Sequence, residues 1–257
     1  MRLRQLTIAT LILYASLTAY SVARGFLGQG YIPFFTPLLS LLAFTFALLH
    51  AGQSLGWRRA LLLLGLTFAV SLLFESVGVA TGWVYGAYHY TDRLGPKFLG
   101  LVPYLIPVAW FMMTYPSYVI ARRLVPERLR TGSWRLALAA GGAVAMTGWD
   151  LAMDPMMVAG GHWVWDQPGA YFGVPVQNYW GWWLTIFVTF ILFLYLGKMQ
   201  TDEGFQVEER FLRLAVISYG VTGLSSVLVD WQSGLGGPAL VGLFAMLPWV
   251  ALAWWRS

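Results

Sequence analysis

Long apolar runs follow one another along the 257-residue chain, with mostly short polar connections between them. A helix that crosses a bilayer needs about 20 predominantly apolar residues, and each run approaches that length. The pattern predicts an all-α fold, a polytopic bundle of about eight transmembrane helices. The predicted helices are 6–24, 32–50, 60–81, 99–121, 134–154, 180–198, 211–230 and 238–255.

Composition supports a membrane protein without a sizeable soluble part. Hydrophobic residues make up 58% of the chain and charged residues 11%, whereas soluble domains are about 25% charged. We therefore expect residues 1–257 to form a single integral membrane domain. The net charge of +5 does not indicate a nucleic-acid partner, because the basic residues lie in short loops between apolar runs. The absence of cysteine excludes disulfides, thiolate metal sites and cysteine nucleophiles.

Lysine and arginine are distributed unevenly between the two sides of the predicted bundle. Thirteen of the 16 lie on the side of the N-terminus, the C-terminus and the even-numbered loops, and Arg24, Arg93 and Lys97 lie on the other. The positive-inside rule therefore predicts cytoplasmic termini in a multi-pass protein of the cell inner (cytoplasmic) membrane. Two long loops rich in aromatic residues and glycine, 82–98 and 155–179, then face outward.

Acidic residues inside the apolar runs are the first candidates for function. Ionisable groups within a membrane span are costly and usually face the bundle interior, so they are functional candidates by default. Asp150 and Asp154 are four residues apart, which places them on one helix face, and Pro155 is expected to end that helix. Alternatively, the acids cap helices or bond neighbouring helices. The intramembrane candidates, all in the predicted outer half, are Glu75, Asp150, Asp154 and Asp230.

The two outward loops add two histidines, His89 and His162, and a crowd of aromatic residues. Tryptophan and tyrosine also form ordinary interfacial belts, but a belt does not explain their clustering with acids and histidines on one side. The loops also resemble each other. Glu75 precedes Trp83-Val84-Tyr85, Asp154 precedes Trp163-Val164-Trp165, and each loop then reaches a Val-Pro pair. This similarity suggests a parallel internal duplication that places one carboxylate from each half at a shared site.

The chemistry that such a site favours is acid–base chemistry on a lipid-soluble substrate. A carboxyl group buried in an apolar pocket has a raised pKa and can stay protonated near neutral pH. Such an acid can protonate a carbon–carbon double bond, and aromatic faces stabilise the resulting cation. Water or an internal double bond then quenches the cation, and a second carboxylate serves as base. No metal, nucleotide or redox cofactor is needed, and the sequence carries no glycine-rich phosphate loop or metalloprotease helix motif.

An ordered set of motifs lies between residues 70 and 185. The motifs are Phe74-Glu75-Ser76-Val77-Gly78, Tyr85-Gly86-Ala87-Tyr88-His89-Tyr90, Gly100-Leu101-Val102-Pro103, Trp149-Asp150-Leu151-Ala152-Met153-Asp154-Pro155, Trp163-Val164-Trp165, Tyr171-Phe172-Gly173-Val174-Pro175 and Asn178-Tyr179-Trp180-Gly181-Trp182. In this order they resemble the CruF-type carotenoid hydratases. That membrane family includes the hydratases of lycopene and γ-carotene and the archaeal hydratases of bisanhydrobacterioruberin.

The resemblance implies a cofactor-independent hydro-lyase of carotenoid biosynthesis, which adds water across the terminal double bond of an acyclic end group and yields a tertiary alcohol. Its expected partners are the carotenoid substrate, membrane lipid and, in the pathway, other carotenoid enzymes. Our hypothesis makes Asp150 or Asp154 the proton donor, while Glu75 positions or deprotonates the water. The residues expected around the substrate or orienting the acids are Trp83, Tyr85, Tyr88, His89, His162, Trp163, Trp165, Asp166, Asn178 and Asp230.

Other functions remain open at this point. A carotenoid cyclase begins with the same protonation and quenches the cation internally. Asp150-x-x-x-Asp154 also resembles half of the magnesium–diphosphate motif of a membrane prenyltransferase. A non-enzymatic transporter or carotenoid-binding protein would use intramembrane acids as proton relays. Histidine and aspartate are zinc ligands, but their spacing here matches no metal motif, so we expect no metal site.

Overall fold

The computed structural model of the chain describes residues 2–30, 32–201 and 204–256. Within these ranges eight long helices follow one another, which confirms the prediction of an all-α bundle of about eight helices. They are α1 (Arg2–Phe26), α2 (Phe35–Leu55), α3 (Trp57–Thr81), α4 (Leu105–Leu124), α5 (Thr131–Ala159), α6 (Val176–Leu196), α7 (Glu209–Gln232) and α8 (Gly236–Trp255).

Helix α4 lies at the centre of the bundle. Among the described residues, seven helices are long and apolar enough to cross a membrane, and α4 is the long helix outside that set. Most of its side chains are buried, including Thr114 and Ser117, and it packs against α2, α3, α5, α7 and α8. Polar residues are tolerated along a helix that neighbouring helices shield from lipid. The lower hydrophobicity of α4 therefore reflects its central position.

The predicted end of α5 at residue 154 is wrong, because the helix continues through Pro155 to Ala159. A proline inside a helix lacks the N–H that would bond the carbonyl four residues earlier. That carbonyl belongs to Leu151, and the phenol of Tyr171 donates a hydrogen bond to it at 2.9 Å. The replacement partner comes from the loop after α5, so the loop compensates for the proline and the helix can continue.

Two short two-stranded sheets were not predicted, and part of the predicted 99–121 helix forms a strand of one of them. Strand β1 (Tyr88–Tyr90) pairs antiparallel with β4 (Trp163–Trp165), with His89 opposite Val164. Strand β2 (Lys97–Phe98) pairs with β3 (Val102–Pro103). Residues 82–104 and 160–175 thus build one end of the bundle, which we call the aromatic end. Its outward orientation, the inner-membrane location and the single domain over residues 1–257 stay predictions; residues 1, 31, 202, 203 and 257 lie outside the described part.

Candidate active site

A cavity of about 210 Å³ extends into the bundle from the aromatic end. Residues of all seven helices from α1 to α7 line it together with residues of both aromatic loops. Its walls are mainly apolar and aromatic, and two carboxylates, Glu75 and Asp154, reach it from different helices. The structure therefore brings together at one cavity one acid from each of the two similar loop regions.

Glu75 is held by three aromatic donors. Its Oε2 accepts hydrogen bonds from the phenols of Tyr88 and Tyr90, the latter at 2.8 Å, and its Oε1 accepts one from Trp110 Nε1 at 3.0 Å. The two tyrosines share a face of β1 because side chains alternate along a strand. Burial first, and then the charge of Glu75, raises the pKa of both phenols well above their usual value. They therefore stay protonated and donate at physiological pH.

The side-chain amide of Asn178 donates hydrogen bonds to both Asp154 and Asp150. Asp154 Oδ1 accepts a hydrogen bond from Trp163 Nε1 at 2.6 Å, and its Oδ2 accepts one from Asn178 Nδ2. The same Asn178 nitrogen donates to Asp150 Oδ2 at 3.0 Å. Of the two aspartates, Asp154 lines the cavity and Asp150 lies behind it. The geometry thus distinguishes two residues that the sequence left equivalent.

The surroundings of Glu75 and Asp154 follow the same plan. Glu75 lies near the end of α3 and is bonded by the β1 tyrosines and by a residue of α4. Asp154 lies near the end of α5 and is bonded by Trp163 of β4 and by Asn178 of α6. The two strands pair antiparallel, as a two-fold relation between the halves requires. This arrangement fits the predicted internal duplication, which itself stays a prediction.

Aromatic rings form much of the cavity wall. Trp110 and Trp182 stack with ring centroids 4.0 Å apart, and Trp149 meets Trp182 edge-on at 5.8 Å. Tyr85 also lines the cavity, and its hydroxyl lies 2.7 Å from that of Thr185. A cation next to such π faces gains roughly 0.5–2 kcal/mol per ring, with the larger values in desolvated sites. The cavity can therefore hold a carbon skeleton that becomes transiently positive.

The structure brings most of the predicted site residues together. Those that line the cavity are Glu75, Tyr85, Tyr88, Asp154, Trp163, Trp165 and Asn178.

Other predicted site residues lie away from the cavity, and their roles stay predictions. Trp83 is 73% exposed. His89 points outward because it alternates with Tyr88 and Tyr90 along β1, and its Nδ1 lies 3.4 Å from the carboxylate of the exposed Asp166.

His162 and Asp230 also lie outside the cavity lining. His162 is only partly buried, whereas Asp230 is fully buried on α7. Among the described residues, no three histidine, aspartate or glutamate side chains lie close enough together to hold a metal ion.

Several cavity residues were missed by the sequence analysis. Tyr90 carried a usable signal, because it lies two residues after Tyr88 and strand alternation places both on one face. Trp149 and Trp182 lie in motifs that carry the family resemblance but were not predicted as site residues, and Trp110 carried no signal. They lie within apolar helices, where an aromatic residue is indistinguishable from ordinary core.

Comparison with known proteins gives one family and one relative. Residues 35–248 match the family described as "Carotenoid biosynthesis protein". Over 174 residues, 68% of the chain, the sequence is 36% identical to the bisanhydrobacterioruberin hydratase of Haloarcula japonica. The aligned part is 55% of that relative, so the chain spans about half the length of the curated protein that it matches. No solved structure matches the chain.

Proposed function

The chain belongs to the carotenoid biosynthesis protein family, as its resemblance to carotenoid hydratases predicted, and on that premise we propose that it is a carotenoid hydratase. The proposed reaction adds water across the terminal double bond of an acyclic carotenoid end group and gives a tertiary alcohol. The observation that carries this proposal is that Glu75 and Asp154 line one aromatic, mainly apolar cavity. The 36% identity to a protein named as a hydratase supports the same reaction class.

Asp154 is the proton donor in this proposal. It reaches the cavity, whereas Asp150 lies behind it and shares the Asn178 amide. Two like charges this close in an apolar interior are unfavourable, so the aspartate pair retains one proton between its members, as paired carboxylates do in other enzymes. Transfer of that proton to the less substituted carbon of the terminal double bond leaves a tertiary cation, and the pair becomes fully ionised.

Glu75 is the base. Its two oxygens accept three hydrogen bonds from neutral donors, which offset part of the cost of burying its charge. A water molecule next to Glu75 attacks the cation and forms the new carbon–oxygen bond. The proton that this water releases goes to Glu75, so one proton leaves Asp154, one reaches Glu75, and the reaction needs no oxidant or reductant.

The dimensions of the cavity suit the end of a long substrate. A volume of about 210 Å³ lies below the roughly 300–1,000 Å³ of typical drug-sized ligand pockets. A space of this size suits the end group alone, and in this proposal the remaining polyene lies outside the cavity.

The first test is expression of the chain in cells that accumulate lycopene, followed by mass analysis of the extracted pigments. A product heavier by one water, with a tertiary hydroxyl, is expected. An isomer of unchanged mass would indicate cyclisation and refute hydration. The same assay is run with γ-carotene and with bisanhydrobacterioruberin. We call these two compounds and lycopene the test carotenes. Failure to convert any of the three, with the protein present in the membrane, would refute the proposal.

A further inference from the structure

Besides Glu75 and the aspartate pair, one more acid is buried among the described residues, and it has no role in the proposed reaction. Asp230 of α7 is 0% exposed, and neither of its carboxylate oxygens has a hydrogen-bond partner among the described residues. Asp150 is also 0% exposed, and its Oδ1, the oxygen that Asn178 does not bond, has no partner in the described part either. Neither aspartate lines the cavity.

Asp230 lies on α7, a helix that packs against the α5 helix of the aspartate pair. Both α5 and α7 run toward the aromatic end, and Trp149 Nε1 of α5 donates to Ser226 Oγ of α7 at 3.1 Å. Asp230 lies four residues after Ser226, hence on the same face and one turn closer to that end. On α5, Asp150 and Asp154 occupy the turn that follows Trp149. The three carboxyl groups therefore lie at similar depth on adjacent helices.

Tyr171 lies in the loop at the aromatic end, and Tyr179 follows it at the start of α6. Tyr171 and Tyr179 meet edge-on with ring centroids 5.4 Å apart. Tyr171 is partly exposed, and burial first, then the charges of Asp230 and Asp150, raises the pKa of its phenol to about 12. The Tyr171 hydroxyl also donates a hydrogen bond to the carbonyl of Leu151, the residue after Asp150, at 2.9 Å, so Tyr171 links the region of Asp150 to solvent. The hydroxyl of Tyr179 has no partner among the described residues.

Buried polar groups in proteins are almost always hydrogen-bonded, to protein or to ordered water. Leaving one unbonded costs about 1–3 kcal/mol, and more for a charged group. Three carboxylate oxygens and one phenol have no hydrogen-bond partner among the described residues, so they need water or shared protons as partners. A short chain of such groups is the arrangement that carries protons through an apolar interior.

We propose that Asp230 is a positioning residue that passes protons from the aromatic end, past Tyr171, to Asp150 and from there to Asp154. This inference rests on the proposed hydratase function. After each turnover the aspartate pair has lost one proton to the substrate. Asp230 gives its proton to Asp150, the pair is reprotonated, and Asp230 takes a proton from water at the loop. Glu75 releases the proton that it gained, so the full cycle is proton-neutral.

The test compares kcat and KM for hydration by isolated membranes, with the test carotene that the wild-type protein converts. In Asp230→Asn, kcat is expected to fall about tenfold or more while KM stays within about twofold, since proton delivery is impaired and the cavity is not. Asp230→Glu is expected to restore most of kcat. In Asp230→Ala, added formate is expected to raise kcat, because a small acid can replace the missing carboxyl. Asp92→Asn, at an exposed outer acid, is the matched control.

Each other outcome decides against the proposal. An Asp230→Asn variant with wild-type kcat would show that no proton passes through this residue. A raised KM with unchanged kcat would instead support direct contact with substrate. Equal loss in the Asn, Ala and Glu variants, without a response to formate, would indicate a structural role. If the wild-type protein converts none of the test carotenes, the hydratase function itself fails, which the wild-type assay reveals before any variant is made.

Discussion

Replacement of Asp154 by asparagine tests the proton donor. Asparagine has nearly the same shape but no transferable carboxyl proton. A general acid contributes about 10²–10⁴-fold to a rate, which corresponds to roughly 3–5 kcal/mol of barrier. We expect Asp154→Asn to lower kcat within that range. Asp150→Asn is expected to cost less, about tenfold, because Asp150 does not line the cavity and acts through Asp154.

The same substitution has a calculable structural cost. Both oxygens of Asp154 accept hydrogen bonds, one from the Trp163 indole and one from the Asn178 amide. In the variant the new amide nitrogen faces one of these donors, and an unsatisfied buried group costs about 1–3 kcal/mol. A measurable fall in the melting temperature of the purified protein is therefore expected. The loss of kcat has to be measured per folded molecule.

The assay is a time course of hydrated product from isolated membranes, normalised to folded protein by size-exclusion chromatography in detergent. Asp92→Asn serves as control, because that carboxylate is exposed and pairs with Lys97. A folded Asp154→Asn variant with kcat within about threefold of wild type would refute Asp154 as the donor. Full activity in both the Asp150 and Asp154 variants would refute the aspartate pair altogether.

Three further predictions concern the base, the cavity wall and the loop. Glu75→Gln is expected to lower kcat about 10²–10⁴-fold through loss of the base; unchanged kcat in the membrane assay would contradict this. Gly181→Ala would place its Cβ 2.7 Å from a backbone oxygen and against the Tyr85 ring. We expect it to lower the melting temperature, whereas Gly65→Ala, with open space around the glycine, should be neutral or stabilising; equal shifts would refute the packing argument. Burial, and secondarily the charge of Arg93, lowers the pKa of His162 from 6.5. The unfolded chain therefore binds this proton more readily, so stability should fall as pH drops below about 6.5, and less so in His162→Gln; identical melting curves for the two proteins against pH would contradict it.

Much of the fold follows from the sequence for a simple physical reason. A helix that crosses a bilayer satisfies all its backbone hydrogen bonds internally, so a run of apolar residues is sufficient to indicate it. The acids were found in the same way, because a carboxylate such as Glu75 or Asp154 stands out within an apolar run. Interruptions of this pattern are harder to interpret. Pro155 predicts a helix end, but the helix continues because the phenol of Tyr171 compensates for the missing N–H.

What only the tertiary structure decided is which side chains meet. Trp110 reaches Glu75 across 35 positions of sequence, and Asn178 reaches Asp154 across 24. Such contacts depend on how helices rotate and pack against each other, and an aromatic residue in an apolar helix carries no local sign of its partner. The three-residue strands that turn His89 outward are likewise too short to show a pattern of their own. The sequence by itself therefore determined the helices and the acids, while packing between distant segments decided which acid faces the cavity.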